Sequence, residues 1–150
     1  MLHSDKAVEL FVKGYNCSQA VLAAFCDEIG LDEKTALKLA SSFGAGMGKM
    51  REVCGACSAM FMVAGLLDGY DSFDDIAAKT EHYSLIQSLA EKFKEHNGGT
   101  IICRELLKNI KTNTKPEPDK RTAEYYKNRP CAAFVKDAAE ILDEYLEKGK

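Results

Sequence analysis

Apolar residues recur along this chain at intervals of three and four, the spacing of one face of an α-helix. Val8, Phe11, Val12 and Tyr15 mark a first helical segment from about Ser4, weakened at Gly14. Asn16 can cap a second helix, with Gln19 three positions on in capping-box relation. In it, Cys17, Ala20, Val21 and Ala24 make one face. Leu22, Phe25, Cys26 and Ile29 make another, which assigns Cys26 to packing. Gly30 stops this helix and Asp32 caps the next, whose inner face is Ala36, Ala40 and Phe43.

The stretch Phe43 to Leu67 reads differently. Gly44, Gly46 and Gly48 stand on alternate positions, followed by Cys54-Gly55-Ala56-Cys57 and an apolar run. Apolar residues on every side predict a buried central helix ending near Gly69, with Cys54 and Cys57 on one face of its first turn. Asp71 or Ser72 can cap a long helix with Asp74 and Asp75 in its first turn, ended by Asn97-Gly98-Gly99. Thr100 can cap a short helix with Cys103 in its opening turn. Lys111 to Arg121 is polar and holds Pro116 and Pro118, so it reads as a surface loop and the most mobile part of the chain. The stretch from Lys111 to Lys127 is open between an extra short helix and none. Pro130 starts the last helix, whose face is Cys131, Phe134, Val135, Ala138, Leu142 and Tyr145. No stretch alternates at period two. The expectation is an all-α, single-domain helical bundle of five to seven helices over residues 1–150.

Composition narrows the class. With 46% hydrophobic and 29% charged residues, the chain has the make-up of an ordinary globular protein rather than a disordered one. A net charge of -3 gives no reason to expect nucleic acid as a partner. The longest apolar stretch, Ala59 to Leu67, is too short to span a bilayer, and the N-terminus has no secretory pattern. A cytoplasmic location is expected. Six cysteines in a reducing compartment point to metal binding or redox chemistry rather than structural disulfides.

Cys17, Cys54, Cys57, Cys103 and Cys131 all fall in or near the first turn of an expected helix; Cys26 alone lies late in one. Free main-chain N–H groups at a helix start favour an anionic sulfur, whether nucleophile or ligand. Three of the four arginines lie close in sequence: Arg51 before Cys54, Arg104 beside Cys103 and Arg129 before Cys131. The competing reading is surface arginines beside buried, inert cysteines. Other chemistry is thin. His82 and His96 are nearly four turns apart on one helix, too far to share an ion, and His3 is terminal. The loop GAGMGK lacks the ending and the preceding strand of a phosphate-binding loop.

The run Asn16-Cys17-Ser18-Gln19-Ala20-Val21, the glycine-rich GAGMG, Cys54-Gly55-Ala56, Cys103-Arg104-Glu105-Leu106 and Cys131 together resemble the C_GCAxxG_C_C family of redox-active proteins. The resemblance covers nearly the whole chain and maps the family's four characteristic cysteines onto Cys17, Cys54, Cys103 and Cys131. The chain departs at Ala59, where the family motif has Gly, and adds Cys57, which makes a CxxC the family does not require.

Three functions are open at this point. One is thiol–disulfide chemistry, as an oxidoreductase with a redox partner, using Cys17, Cys54, Cys57, Cys103 and Cys131, with Gly44, Gly46 and Gly48 lining the site. The second is a four-cysteine metal site at Cys17, Cys54, Cys103 and Cys131 for zinc or an iron–sulfur cluster. The third is a helical accessory or interaction module in which the cysteines pack. Convergence of the four cysteines on one place is the geometric expectation that the first two share.

Overall fold

The computed structural model describes residues 1–148. Among them are nine helices and no strand, so the class is all-α and the expected count of five to seven is corrected upward. In chain order they are α1 His3–Lys13, α2 Cys17–Ala24, α3 Cys26–Ile29, α4 Glu33–Ser41, α5 Gly55–Asp68, α6 Ile76–His96, α7 Cys103–Leu106, α8 Ala123–Asn128 and α9 Cys131–Lys148. The extra elements have identifiable causes. The segment expected as one helix from Asn16 to Ile29 breaks at Phe25, whose N–H bonds Leu22 in a tight turn while its ring is fully buried. Cys26 therefore opens α3 rather than lying late in a helix, and it is half-buried. α8 lies in the stretch left open, with the Thr122 hydroxyl accepting from the Tyr125 N–H at 3.2 Å.

Two caps differ from expectation. Asp75, not Asp71 or Ser72, caps α6 by accepting from the Ala78 N–H, and Ser72 bonds Asp74 instead. Thr100 accepts from the Ile102 N–H before α7 begins, so it braces the approach rather than the helix.

α5 is central. Gly55 to Met60, Val63 and Ala64 are all buried, and the helix packs on α2, α9 and α6. Small side chains at Ala20, Ala23, Ala24, Ala56, Ala59 and Ala64 let these helices lie close, and Phe11, Phe25, Phe93 and Met60 fill the space around them. Each such large side chain contributes about 1.5–3 kcal/mol on burial. Ala59, in the motif position where glycine was expected, is fully buried. No helix among the described residues is long and apolar enough to cross a membrane.

The bundle ends are tied by His3. Its Nδ1 lies 2.6 Å from an Asp143 oxygen on α9, its Nε2 3.0 Å from Asp27 on α3, and its ring stacks on Phe25 at 4.2 Å. Burial alone would lower its pKa, but the bonds to Asp143 and Asp27 outweigh burial and raise it. A raised pKa means that the imidazolium stabilises the fold fully below the unfolded value, and that this is lost as pH rises through the folded one. In urea titrations, the wild type should exceed His3→Gln most near pH ~5–6, and the gap should close by pH ~8. A gap that widens on going alkaline would contradict this.

Candidate functional site

The site begins with local structure around Cys17. The Asn16 carboxamide accepts from the Gln19 N–H at 2.9 Å and the Gln19 carboxamide accepts from the Asn16 N–H at 3.1 Å, the complete capping box. Gln19 also donates to the Leu37 carbonyl and Asn16 to that of Ser41, which fixes α2 against α4 with Cys17 at its first position.

The glycine-rich loop is a left-handed turn. Ala45, Gly46, Met47, Gly48 and Lys49 have φ of 54°, 72°, 67°, 56° and 65°, and Arg51 follows at 61°. Left-handed backbone costs about 1–2 kcal/mol for each residue with a side chain. The turn brings the loop against the cysteines. A Cβ on Gly46 would stand 2.7 Å from the Cys103 Cβ and from the Arg51 Cα, and a Cβ on Gly44 would overlap Asn16. Gly55 lies against the Phe43 carbonyl, where a Cβ would be 2.9 Å away and 3.3 Å from the Cys17 Cβ. Gly48 has no comparable close approach.

After the turn, residues 52–54 run antiparallel to residues 101–103. The Cys54 N–H donates to the Ile101 carbonyl at 2.8 Å and the Cys103 N–H to that of Glu52 at 2.6 Å, across the bridge Val53–Ile102. This sets Cys103 beside Cys54, which stands as N-cap of α5. Cys131 opens α9. Cys17, Cys54, Cys103 and Cys131 all line one cavity of about 460 Å³, together with Gly44, Gly46 and Gly48. Cys57 lies behind Cys54 and is fully buried, and Cys26 is not on the cavity wall.

Two sulfurs have pKa values below the ordinary thiol range. The Cys54 pKa is lowered by a hydrogen bond from the Cys57 thiol and, against burial, by the Cys57 and Ala56 amides at the start of α5. The Cys131 pKa is lowered by a hydrogen bond from the Cys17 thiol and, against burial, by the charges of Arg129, Arg121 and Arg51. Their partners move the other way. Cys57 is raised by its bond to Cys54, then by burial; Cys17 is raised well above its usual value by its bond to Cys131, then by burial. Cys103 is raised by burial, opposed by Arg51, whose Nη1 donates to its sulfur at 3.8 Å. Helix-start amides thus help to lower a thiol pKa only at Cys54, and there they come after the Cys57 thiol. The other sulfurs are governed by burial, thiol partners and arginines.

The polar, proline-containing loop of residues 111–121 lies along one side of the cavity. Asp119 takes Arg129 at 2.9 Å, Arg51 at 3.1 Å and Lys49 at 3.3 Å. Arg51 Nε donates to the Asn113 carbonyl at 3.1 Å, Lys49 donates to that of Glu117, and Pro116 and Pro118 face the cavity. Arg121 is anchored by the Phe11 and Tyr15 carbonyls and lies 4.4 Å from the Phe11 ring centre. Sequence reasoning missed Asp119, Arg121 and Lys49. Arg104, which it had included, turns outward to Glu52.

The thiol spacing bears on metal binding. No three cysteine sulfurs lie within 4.8 Å of one another; the only such donor group among the described residues is His3, Asp27 and Glu28 at the surface. One zinc ion with bonds of about 2.3 Å holds its sulfurs closer together than that.

A family model described as "Putative redox-active protein (C_GCAxxG_C_C)" matches residues 15–145. No curated protein and no solved structure matches the chain.

Three substitutions test the geometry. Gly46→Ala combines left-handed strain of about 1–2 kcal/mol with overlap on Cys103, for a total loss above about 2 kcal/mol in denaturant titration. Gly30→Ala has a similar φ of 71° but open space, and should lose only the strain. Equal losses would show that the loop does not press on Cys103. Asp119→Asn removes the negative charge that Arg129, Arg51 and Lys49 share, so more of their field falls on Cys131. The pH profile of its alkylation by iodoacetamide should shift to lower pH than in the wild type; a shift upward would contradict the assignment.

Proposed function

Since the chain belongs to the C_GCAxxG_C_C family, we propose that its cavity carries out thiol–disulfide exchange through two sulfur pairs, Cys131 with Cys17 and Cys54 with Cys57. The observation that carries this reading is the pairing itself. Each lowered sulfur accepts a hydrogen bond from a raised one, which would make the first the nucleophile and the second the resolving thiol of each pair. The thiolate is the reactive form, and the protonated neighbour stays unreactive until the mixed disulfide forms.

The two pairs support a relay. Cys131 is the sulfur surrounded by arginines and works at the cavity, while Cys57 is sealed inside. A Cys17–Cys131 disulfide would be attacked by the Cys54 thiolate, which lies within electrostatic reach of both. Cys57 would then close the inner disulfide and its proton would return to Cys17. Two electrons pass from the inner pair to the outer pair, and the one negative charge moves from Cys54 to Cys131, among the arginines. Cys103, held by Arg51, lies near Cys54 and Cys131 and has no thiol partner, which suits it to positioning Arg51 rather than to exchange.

A second reading has one observation in its favour. The four thiols ring a cation-lined cavity, where Cys17, Cys54, Cys103 and Cys131 would hold an iron–sulfur cluster whose negative charge Arg51, Arg121 and Arg129 would offset. Such a cluster would supply one-electron transfer.

Mild oxidation of the purified protein by diamide, alkylation and peptide mapping distinguish the two. The expected products are Cys54–Cys57 and Cys17–Cys131 links, with Cys26 and Cys103 alkylated. Cys131→Ser should slow alkylation at neutral pH by about tenfold or more, because the most reactive thiolate is gone. A brown protein with bound iron that Cys54→Ser bleaches would overturn the exchange reading.

A further inference from the structure

The chemistry of the cavity wall says more than that it holds thiols. Lys49, Arg51, Arg121 and Arg129 all border it, and among the described residues Asp119 is the one carboxylate that does. Asp119 is shared by three of these cations, and the fourth, Arg121, is held only by neutral groups, the carbonyls of Phe11 and Tyr15 and the Tyr126 hydroxyl. The side chains of Lys49, Arg51 and Arg129 are about nine-tenths buried, at 9%, 5% and 11% exposure. Buried cations in excess over carboxylates are costly unless anions share the space. Thiolates offset part of the excess.

Access points the same way. Cys54, Cys103 and Cys131 are 4%, 8% and 8% exposed, so a disulfide on a folded protein's surface cannot reach them in this arrangement. A cavity of about 460 Å³ is the size of a small-molecule site.

We propose that the cavity selects a low-molecular-weight disulfide carrying carboxylate or similar oxyanion groups, the cations holding the anionic ends while the cysteines act on the sulfur bond. This rests on the thiol-exchange reading and adds a substrate class to it. The Cys131 thiolate attacks one sulfur of R–S–S–R, forming Cys131–S–S–R and expelling RS⁻. The Cys17 thiol then attacks the Cys131 sulfur. Its proton goes to one departing thiolate, the Cys17–Cys131 disulfide forms, and the second RS⁻ leaves. Two electrons move from the two protein sulfurs to the two substrate sulfurs, and proton and charge balance. Arg129 and Arg121 flank the attacking sulfur, so they stabilise both the bound oxyanion and the departing thiolate.

The test is a charge series on the reduced full chain under nitrogen. Dithiodipropionate, hydroxyethyl disulfide and cystamine are anionic, neutral and cationic disulfides of similar size. Loss of protein thiols to each is timed and divided by that reagent's rate with free mercaptoethanol. The anionic reagent should lead the cationic one by about tenfold or more at low salt. The lead should shrink severalfold in about 0.5 M KCl, where screening is short-ranged. Arg129→Gln should shrink it as well, and because the salt series uses the unaltered protein, poor folding of that variant does not decide the matter. Equal rates, or a lead for cystamine, overturn the proposal. If diamide closes the two links but the reagents show no charge preference, the substrate class falls and the exchange reading stands. If diamide closes neither link, both fall.

Discussion

Five successive residues, Ala45 to Lys49, turn the backbone in the left-handed sense, and three of them carry side chains. Nothing in their own propensities favours this, and the cost is several kcal/mol in all. The turn persists because its two ends are held. Gly44 and Gly46 seat it on Asn16 and Cys103, and Lys49 and Arg51 reach across the cavity to Asp119 and the carbonyls of the proline loop. An ordinary right-handed turn would aim Lys49 and Arg51 elsewhere. The cation wall, the closing loop and the place of Cys103 all depend on this one reversal of hand.

Electrostatics then sorts chemically identical thiols into different states. Cys54 and Cys131 are lowered, Cys17 and Cys57 raised, and Cys103 raised despite an arginine at its sulfur. The causes are separable. α5 supplies amides only to Cys54, arginine charge falls chiefly on Cys131, and burial acts on all of them. On the proposed exchange reading, a cavity in which neighbours differ this way would have a direction built in, the reactive sulfur of each pair being set before any substrate arrives.

Much of this was legible in the sequence. Helical spacing gave the class, the capping box at Asn16 and Gln19 is present as read, and the cysteines that open helices were recognisable by position. What was not legible is direction. Arg104 is adjacent to Cys103 along the chain yet points to Glu52, while Arg121, remote from every cysteine in sequence, acts on Cys131. Asp119 sits in a stretch whose prolines and charges read as solvent-facing. It is half-buried among exposed neighbours, and the three cations converging on it reveal another role. The glycines signalled backbone freedom, but alternate glycines do not announce that Ala45, Met47 and Lys49 between them share the left-handed region. The break at Phe25 was hidden because periodicity continues smoothly through it.

The two thiol pairs differ sharply in how much chain they enclose. Cys54 and Cys57 belong to one turn of α5, whereas Cys17 and Cys131 sit near opposite ends of the sequence. In the chain-entropy account, a link across four residues restrains the unfolded chain by about 2 kcal/mol, and one spanning on the order of a hundred residues by about 5 kcal/mol. Moving a disulfide from the inner pair to the outer would therefore tighten the whole protein, and moving it back would loosen it. Linkage works in both directions: folding would favour the oxidised outer pair over the inner, and unfolding would remove that preference. The redox balance between the pairs is in this way a property of the entire fold, read out at two sulfurs that only the folded chain can bring together.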